Sequence, residues 1–197
     1  MSARRALPSV EALFERRSLR LLLLRHAKSD WSAHTGDHER PLSARGRKAV
    51  PRMASRMRRE GYRPAYVLCS TAQRAKETAA LLMPLLEFTD GIRYDRALYL
   101  AEWPQLLAEI HSVVQDMSPL LLVGHNPGME QLAMALALQP QSPGERARAE
   151  SLADKFPTAA LAVLDFAMAQ WSAIKPGSGR LVDYIRPKDL GAGGGDE

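Results

Sequence analysis

The sequence predicts an α/β fold, a three-layer α/β/α sandwich around a mostly parallel central sheet, and three observations carry that expectation. Short apolar runs at residues 21–24, 66–69 and 120–123 each stop abruptly at polar, chemically useful residues, as buried strands do. A segment with helical apolar spacing follows each run, so strand and helix signals alternate. The 197 residues show no internal repeat and no composition shift that marks a second domain, and their number suits one domain with a sizeable core.

The elements follow in order. Residues 19–24 form the first strand, and residues 27–40 a polar loop containing Gly36, Asp37 and His38. Ser43 is the expected N-cap of the first helix, whose apolar stripe is Val50, Met53, Ala54 and Met57. Pro51 is expected to kink that helix or displace its start, and Gly61 to end it. Residues 66–69 are the second strand, and a helix over 72–86 turns Ala75, Ala79, Leu82 and Leu86 inward. Residues 92–100 read as a short strand or a loop. Trp103-Pro104 opens a helix carrying Leu106, Leu107, Ile110, Val113 and Val114.

The third strand covers 120–123, with a helix over 128–138. Residues 139–150, with Pro140, Pro143 and Gly144 among charges, read as a surface excursion. Residues 159–166 are another buried strand, Trp171 belongs to a further edge strand, and residues 181–185 form the last strand after a turn at 176–179.

Composition narrows the class. Apolar content of 46% and charged content of 25% are those of an ordinary globular protein, and the net charge of +5 favours anionic partners. Cys69 is the single cysteine, which rules out an intrachain disulfide framework and a cysteine-rich zinc module and makes a reducing cytoplasm the default. No apolar run reaches the roughly 18–20 residues that span a bilayer. Residues 1–18 read as a flexible extension, 19–190 as the folded domain, and 191–197 as a disordered tail.

The three strand ends carry the chemistry. The first delivers Arg25-His26, the second leads into Ser70-Thr71-Ala72-Gln73-Arg74, and the third into Gly124-His125-Asn126-Pro127. In a parallel sheet these ends share one edge, so two arginines and two imidazoles meet in one crevice, a receptor for a phosphoryl group. Neutral His26 can attack phosphorus and hold the group as a phosphoramidate, splitting one displacement into two. Arg74 stands at a helix start, where the backbone adds partial positive charge. Arg40, ahead of Pro41, is placed at the pocket entrance. His26 and His125 come without a carboxylate cluster at ligand spacing, so no metal is expected.

Two other chemistries are weighed. Cys69 and Arg74 are separated by four residues where a cysteine phosphatase loop has five, and a thiol ending an apolar strand is inert. The basic residues Arg45, Arg47, Lys48, Arg52, Arg56, Arg58, Arg59 and Arg63 suit a binder of nucleic acid or phosphoprotein without turnover, against the commoner reading of a solvated helix face.

Taken together, Arg25-His26-Ala27, the segment from Ser70 to Ala75 with Thr78-Ala79, and Gly124-His125-Asn126-Pro127 resemble the histidine phosphatase superfamily. The stretches 28–31, 37–46, 155–158 and 186–190 resemble its small SixA-type branch of phosphohistidine phosphatases. The resemblance spans about residues 19–190. It implies a phosphoglycerate-mutase-like fold, a His26 nucleophile, and Arg25, Arg74 and His125 as the phosphate clamp, with no metal or other cofactor. It also implies a phosphorylated partner, either a phosphohistidine-carrying protein domain or a small phosphorylated metabolite. An acid for the leaving group is sought at Asp37, because Glu102 is not convincingly placed for that role.

Overall fold

The computed structural model describes residues 18–89, 91–114 and 117–191. The predicted extension and tail therefore lie outside the described residues except for Ser18 and Gly191. Six strands form one sheet: β1 Leu19–Arg25, β2 Tyr66–Ser70, β3 Ile92–Asp95, β4 Leu120–Gly124, β5 Leu161–Phe166 and β6 Gly179–Ile185. Five α-helices accompany them among the described residues: α1 Ala44–Arg59, α2 Gln73–Leu82, α3 Trp103–His111, α4 Gly128–Leu136 and α5 Pro143–Asp154.

The strand order is β3-β2-β4-β1-β5-β6. The pairs β2–β3, β2–β4 and β1–β4 are parallel, while β5 runs antiparallel to both neighbours. Strands covered on both faces need no polar alternation, which explains the unbroken leucines of β1. Leu21 and Leu23 pack with Leu106, Ile110, Leu132 and Leu136 from α3 and α4, while Leu22 and Leu24 pack with Val50, Met53, Ala75 and Ala79 from α1 and α2.

Local chemistry sets the helix ends. The Ser43 side chain accepts from the Gly46 amide as N-cap. At the other end Gly61, at φ +72°, allows the Tyr62 amide to reach the Met57 carbonyl and the Gly61 amide that of Arg58, a Schellman ending. Gly46 also has a packing role. A Cβ there would lie 2.1 Å from the Lys28 carbonyl oxygen, so only glycine lets α1 press on the chain that follows β1.

Four expectations are corrected. α1 starts at its Ser43 cap and continues through Pro51, so the proline does not displace the helix start; it withdraws a single amide from the ladder while the helix's apolar face stays packed. α2 ends at Leu82, with a separate 3₁₀ turn at Pro84–Leu86. Residues 143–154 form α5, capped by Ser142 and started by Pro143, so the proline that suggests a loop serves as a helix opener. Trp171 is no edge strand: it lies in the 3₁₀ turn Trp171–Ala173, fully buried.

Gly46→Ala is expected to destabilise the protein by roughly 1–3 kcal/mol through overpacking against rigid backbone. Gly144→Ala, whose added carbon meets only Arg148 Nη1 at 3.8 Å, is expected to be near neutral. Thermal unfolding of the two variants beside wild type checks the pair.

Candidate active site

The site is assembled by register. Arg25 on β1 lies opposite Gly124 on β4, and Cys69 on β2 opposite Val123. The residues after each strand, His26, Ser70 onward and His125, therefore emerge at one edge. The His26 amide donates to the Gly124 carbonyl (3.1 Å), and the Ala159 amide bonds the carbonyls of Arg25 and His26 (3.0 and 3.1 Å). Thr78 ties the next residue to α2, accepting from the Ala27 amide (3.0 Å) and donating to the Arg74 carbonyl (2.6 Å).

His26 is buried, and its tautomer follows from its partners. A carbonyl oxygen can only accept, so Nδ1 must carry the proton it shares with the Ala27 carbonyl (2.7 Å). Nε2 is then left with a lone pair, and Arg74 Nε donates to it (3.3 Å). Burial, assisted by the nearby charges of Arg74, Arg25 and Arg40, holds the His26 pKa down to about 3, although the Ala27 bond opposes the shift. The ring is neutral at neutral pH with its nucleophilic nitrogen facing cations.

His125 lies 4.9 Å from His26, ring centroid to centroid. Its Nε2 pairs with Ser70 Oγ (2.8 Å), and its buried Nδ1 has no partner among the described residues. Burial, then His26 and Arg74, lower its pKa to about 2. Arg25 donates Nη1 to the Phe156 carbonyl (2.8 Å), leaving its buried Nε without a partner.

The loop between β1 and α1 closes over this edge. It is pinned at its base by the Ser29–Leu42 bridge and by the Ser43 amide on the Lys28 carbonyl (2.9 Å). The Gln73 amide holds its tip at the His38 carbonyl (2.9 Å). Asp37 consequently meets Arg74, which donates Nη2 to the Asp37 carboxylate (3.0 Å) and Nη1 to its carbonyl (2.5 Å). Arg40 donates Nη2 to the same carboxylate (2.6 Å) and stacks 3.5 Å from the Trp31 ring centroid. Glu77 pairs with Arg47 (2.7 Å), so Arg74 has Asp37 as its carboxylate partner.

The predicted residues His26, Asp37, Arg40, Arg74 and His125 thus belong to one contact network, while Arg25, next to His26 in the chain, is bonded to the Phe156 carbonyl. Asp37, the residue sought as the acid, faces the cations: a hydrogen bond from Tyr99 first, then Arg74 and Arg40, hold its carboxyl down to about 2, which favours the ionised form. Tyr99 is the residue that sequence reasoning missed. Its hydroxyl donates to Asp37 (2.5 Å), and its ring stands edge-on to both His38 (4.8 Å) and His125 (5.4 Å). A tyrosine between two leucines after an irregular segment gives no periodic signal; only the fold brings it over α2. Glu102 is the residue before α3 and takes no part in the network. Cys69 is fully buried, with burial pushing its thiol up to about 12, which leaves no thiolate to react.

Among the described residues no group of histidine, cysteine and carboxylate side chains could hold a metal ion, and no helix is long and apolar enough to cross a membrane. The chain is similar to several known proteins. The family model described as histidine phosphatase superfamily (branch 1) matches residues 21–103. The uncharacterized protein Rv1276c of Mycobacterium tuberculosis is 36% identical over 169 residues, which cover 84% of this chain and all of the relative. A solved structure of a candidate phosphohistidine phosphatase SixA from Agrobacterium tumefaciens is 31% identical, with a TM-score of 0.70 over 86% of this chain and 98% of that one. Its counterpart from Nakamurella multipartitia is 28% identical, with a TM-score of 0.72 over 86% and 96%.

The depressed histidines make stability depend on pH. Because both bind protons less readily folded than unfolded, the unfolded chain takes up more protons as pH falls from about 6.5, the ordinary histidine value, toward 3. Stability should fall with acidification across that window, each histidine adding at most about 1.4 kcal/mol per pH unit. Denaturant titrations of wild type and of a His26→Asn/His125→Asn variant should give a shallower pH dependence in the variant.

Proposed function

Because the chain belongs to the histidine phosphatase superfamily, and within it to the SixA-like branch, we propose that it removes phosphoryl groups from phosphohistidine in proteins, by way of a phosphorylated His26. We place the phosphatase domain at residues 19–190.

The observation that carries this reading is the His26 Nε2 lone pair facing the Arg74 guanidinium. In the first step Nε2 attacks phosphorus, a new N–P bond forms, and the substrate's N–P bond breaks. The departing imidazole keeps the electron pair and takes its proton from solvent. In the second step water attacks the phosphoryl group on His26. The enzyme's N–P bond breaks, inorganic phosphate leaves, and Nε2 regains its lone pair. Arg25 Nε and His125 Nδ1, buried donor-capable atoms without protein partners, and the Arg74 guanidinium are positioned to receive the phosphoryl oxygens. Arg40, with Nε and Nη1 buried and unpartnered, extends that cationic wall toward the mouth.

Leaving-group chemistry favours N–P over O–P bonds. Tyr99, Arg74 and Arg40 hold Asp37, the described carboxylate in contact with the cations, toward its ionised form, which makes it a weak proton donor to an alkoxide. An imidazole, protonated as it departs, needs far less help. Asp37 is then a positioning residue that orients Arg74. A small-molecule phosphomonoesterase is the second reading; the ionised state of Asp37 weighs against it.

A substrate panel tests the proposal. Phosphohistidine protein should be hydrolysed with a higher kcat/KM than sugar phosphates or nucleotides, and His26→Ala should lose roughly 10³-fold or more on every substrate. Faster turnover of a sugar phosphate or nucleotide would overturn the substrate assignment. Asp37→Asn should slow aryl and alkyl phosphates by a common factor, on the order of tenfold. A loss confined to alkyl phosphates would restore Asp37 as the acid.

A further inference from the structure

The fold divides the basic residues of α1 and its C-terminal turn into two sets. Arg47, Arg56, Arg58, Arg59 and Arg63 are neutralised by Glu77, Glu60, Asp183 and Glu87, at 2.7 to 3.9 Å. Among the described residues Arg45, Lys48 and Arg52 have no carboxylate partner, and with Lys188 they line one cleft between α1 and the 3₁₀ turn Pro187–Leu190. Past Arg45 the cleft continues into a cavity of about 260 Å³ whose walls include Lys28 and Lys155, also without a carboxylate partner among the described residues. Six cations free of described carboxylate partners thus share one continuous surface. The carboxylates beside them are Asp154, which lines the cavity, and Asp189, which is bound to Arg186.

We propose that this cleft docks an acidic surface of the phosphoprotein substrate, holding it while its phosphohistidine enters the pocket; this rests on the substrate reading above. Position supports it. Lys28 is two residues from the nucleophile, and the cavity wall at Pro157 and Thr158 follows Phe156, whose carbonyl holds Arg25. The cleft therefore begins where the active-site chain emerges. Extent supports it too. Arg45 to Arg52 is seven residues of helix, about 10 Å, and Lys28, Lys155 and Lys188 widen the field further. That is too broad for a single phosphate and suits carboxylates spread over a protein face.

The lining also discriminates between polyanions. No aromatic side chain lines the cleft, so nucleic-acid bases would find nothing to stack on. Five of the six cations, Lys28, Arg45, Lys48, Lys155 and Lys188, are exposed and can follow a flexible acidic partner. Their field would act chiefly on the rate of encounter, which makes it sensitive to salt.

The test compares two triple variants with the same change of charge. Lys48→Glu/Arg52→Glu/Lys188→Glu reverses three of the cleft's cations; Arg58→Glu/Arg59→Glu/Arg63→Glu reverses ion-paired residues at the C-terminal end of α1 and the turn after it. Each is assayed for kcat/KM on phosphohistidine protein and on an aryl phosphate at low salt, and for binding of a fluorescent glutamate-rich peptide and of an oligonucleotide of equal charge. The first variant should lose roughly tenfold or more on phosphoprotein, within the range of steering effects, lose peptide binding, and keep its aryl phosphatase activity. The second should keep all three. Equal losses in both variants, or no loss in the first, would overturn the docking site. Tighter binding of the oligonucleotide than of the peptide, abolished by the first variant, would overturn it in favour of nucleic acid. Failure of wild type to dephosphorylate phosphohistidine would defeat the substrate reading separately, and the peptide measurement would still decide the cleft.

Discussion

Parallel pairing of β1 with β4, and of β4 with β2, turns side chains separated by up to a hundred residues into one site. Arg25 is level with Gly124 and Cys69 with Val123, so each chain leaves the sheet at the same height. A one-residue slip of any strand would exchange its two faces, sending Leu22 and Leu24 toward α3 and α4 and Leu21 and Leu23 toward α1 and α2. Both layers are closely packed, and the glycine contact of α1 on Lys28 admits no larger residue. The register is therefore held by the core, and the geometry of the site is inherited from it.

Within that frame the electrostatics are deliberately lopsided. Two imidazoles are buried beside three arginines and driven to stay neutral, which keeps a lone pair on His26 Nε2. Among the described residues Asp37 is the sole carboxylate in direct contact with Arg74 and Arg40, and Tyr99 adds a hydrogen bond that favours its ionised form. The carboxylate that looks like an acid in the sequence is bonded to two cations in the fold. In the reaction proposed above, preplaced cations around neutral His26 would stabilise the charge of a transferring phosphoryl group without a reorganisation step.

Much of this is legible in the sequence. Runs without alternation, such as residues 21–24, announce strands buried on both sides, and the polar residues at their ends announce a site. Arg25, His26, Arg74 and His125 can be found in this way because each is adjacent to its strand. The partners of Asp37 cannot, since its contacts with Arg74 and Tyr99 cross 37 and 62 residues and depend on where the loop tip lands. Tyr99 gives no signal for the same reason. α5 is obscured by Pro143, a residue that breaks helices inside and opens them at the first turn. The split between free and neutralised arginines on α1 is likewise invisible in one dimension, because Glu87 and Asp183 come from distant segments.

The protonation state of His26 tests the central claim most directly. Nitrogen-15 NMR of the histidine rings at neutral pH, with His26→Asn to assign the signals, reads each ring nitrogen separately. A neutral His26 ring with the proton on Nδ1 and a bare Nε2, persisting well below pH 6, is the predicted result. A proton on Nε2, or an imidazolium near neutrality, would contradict it, because the nitrogen facing Arg74 would then have no electron pair to offer phosphorus.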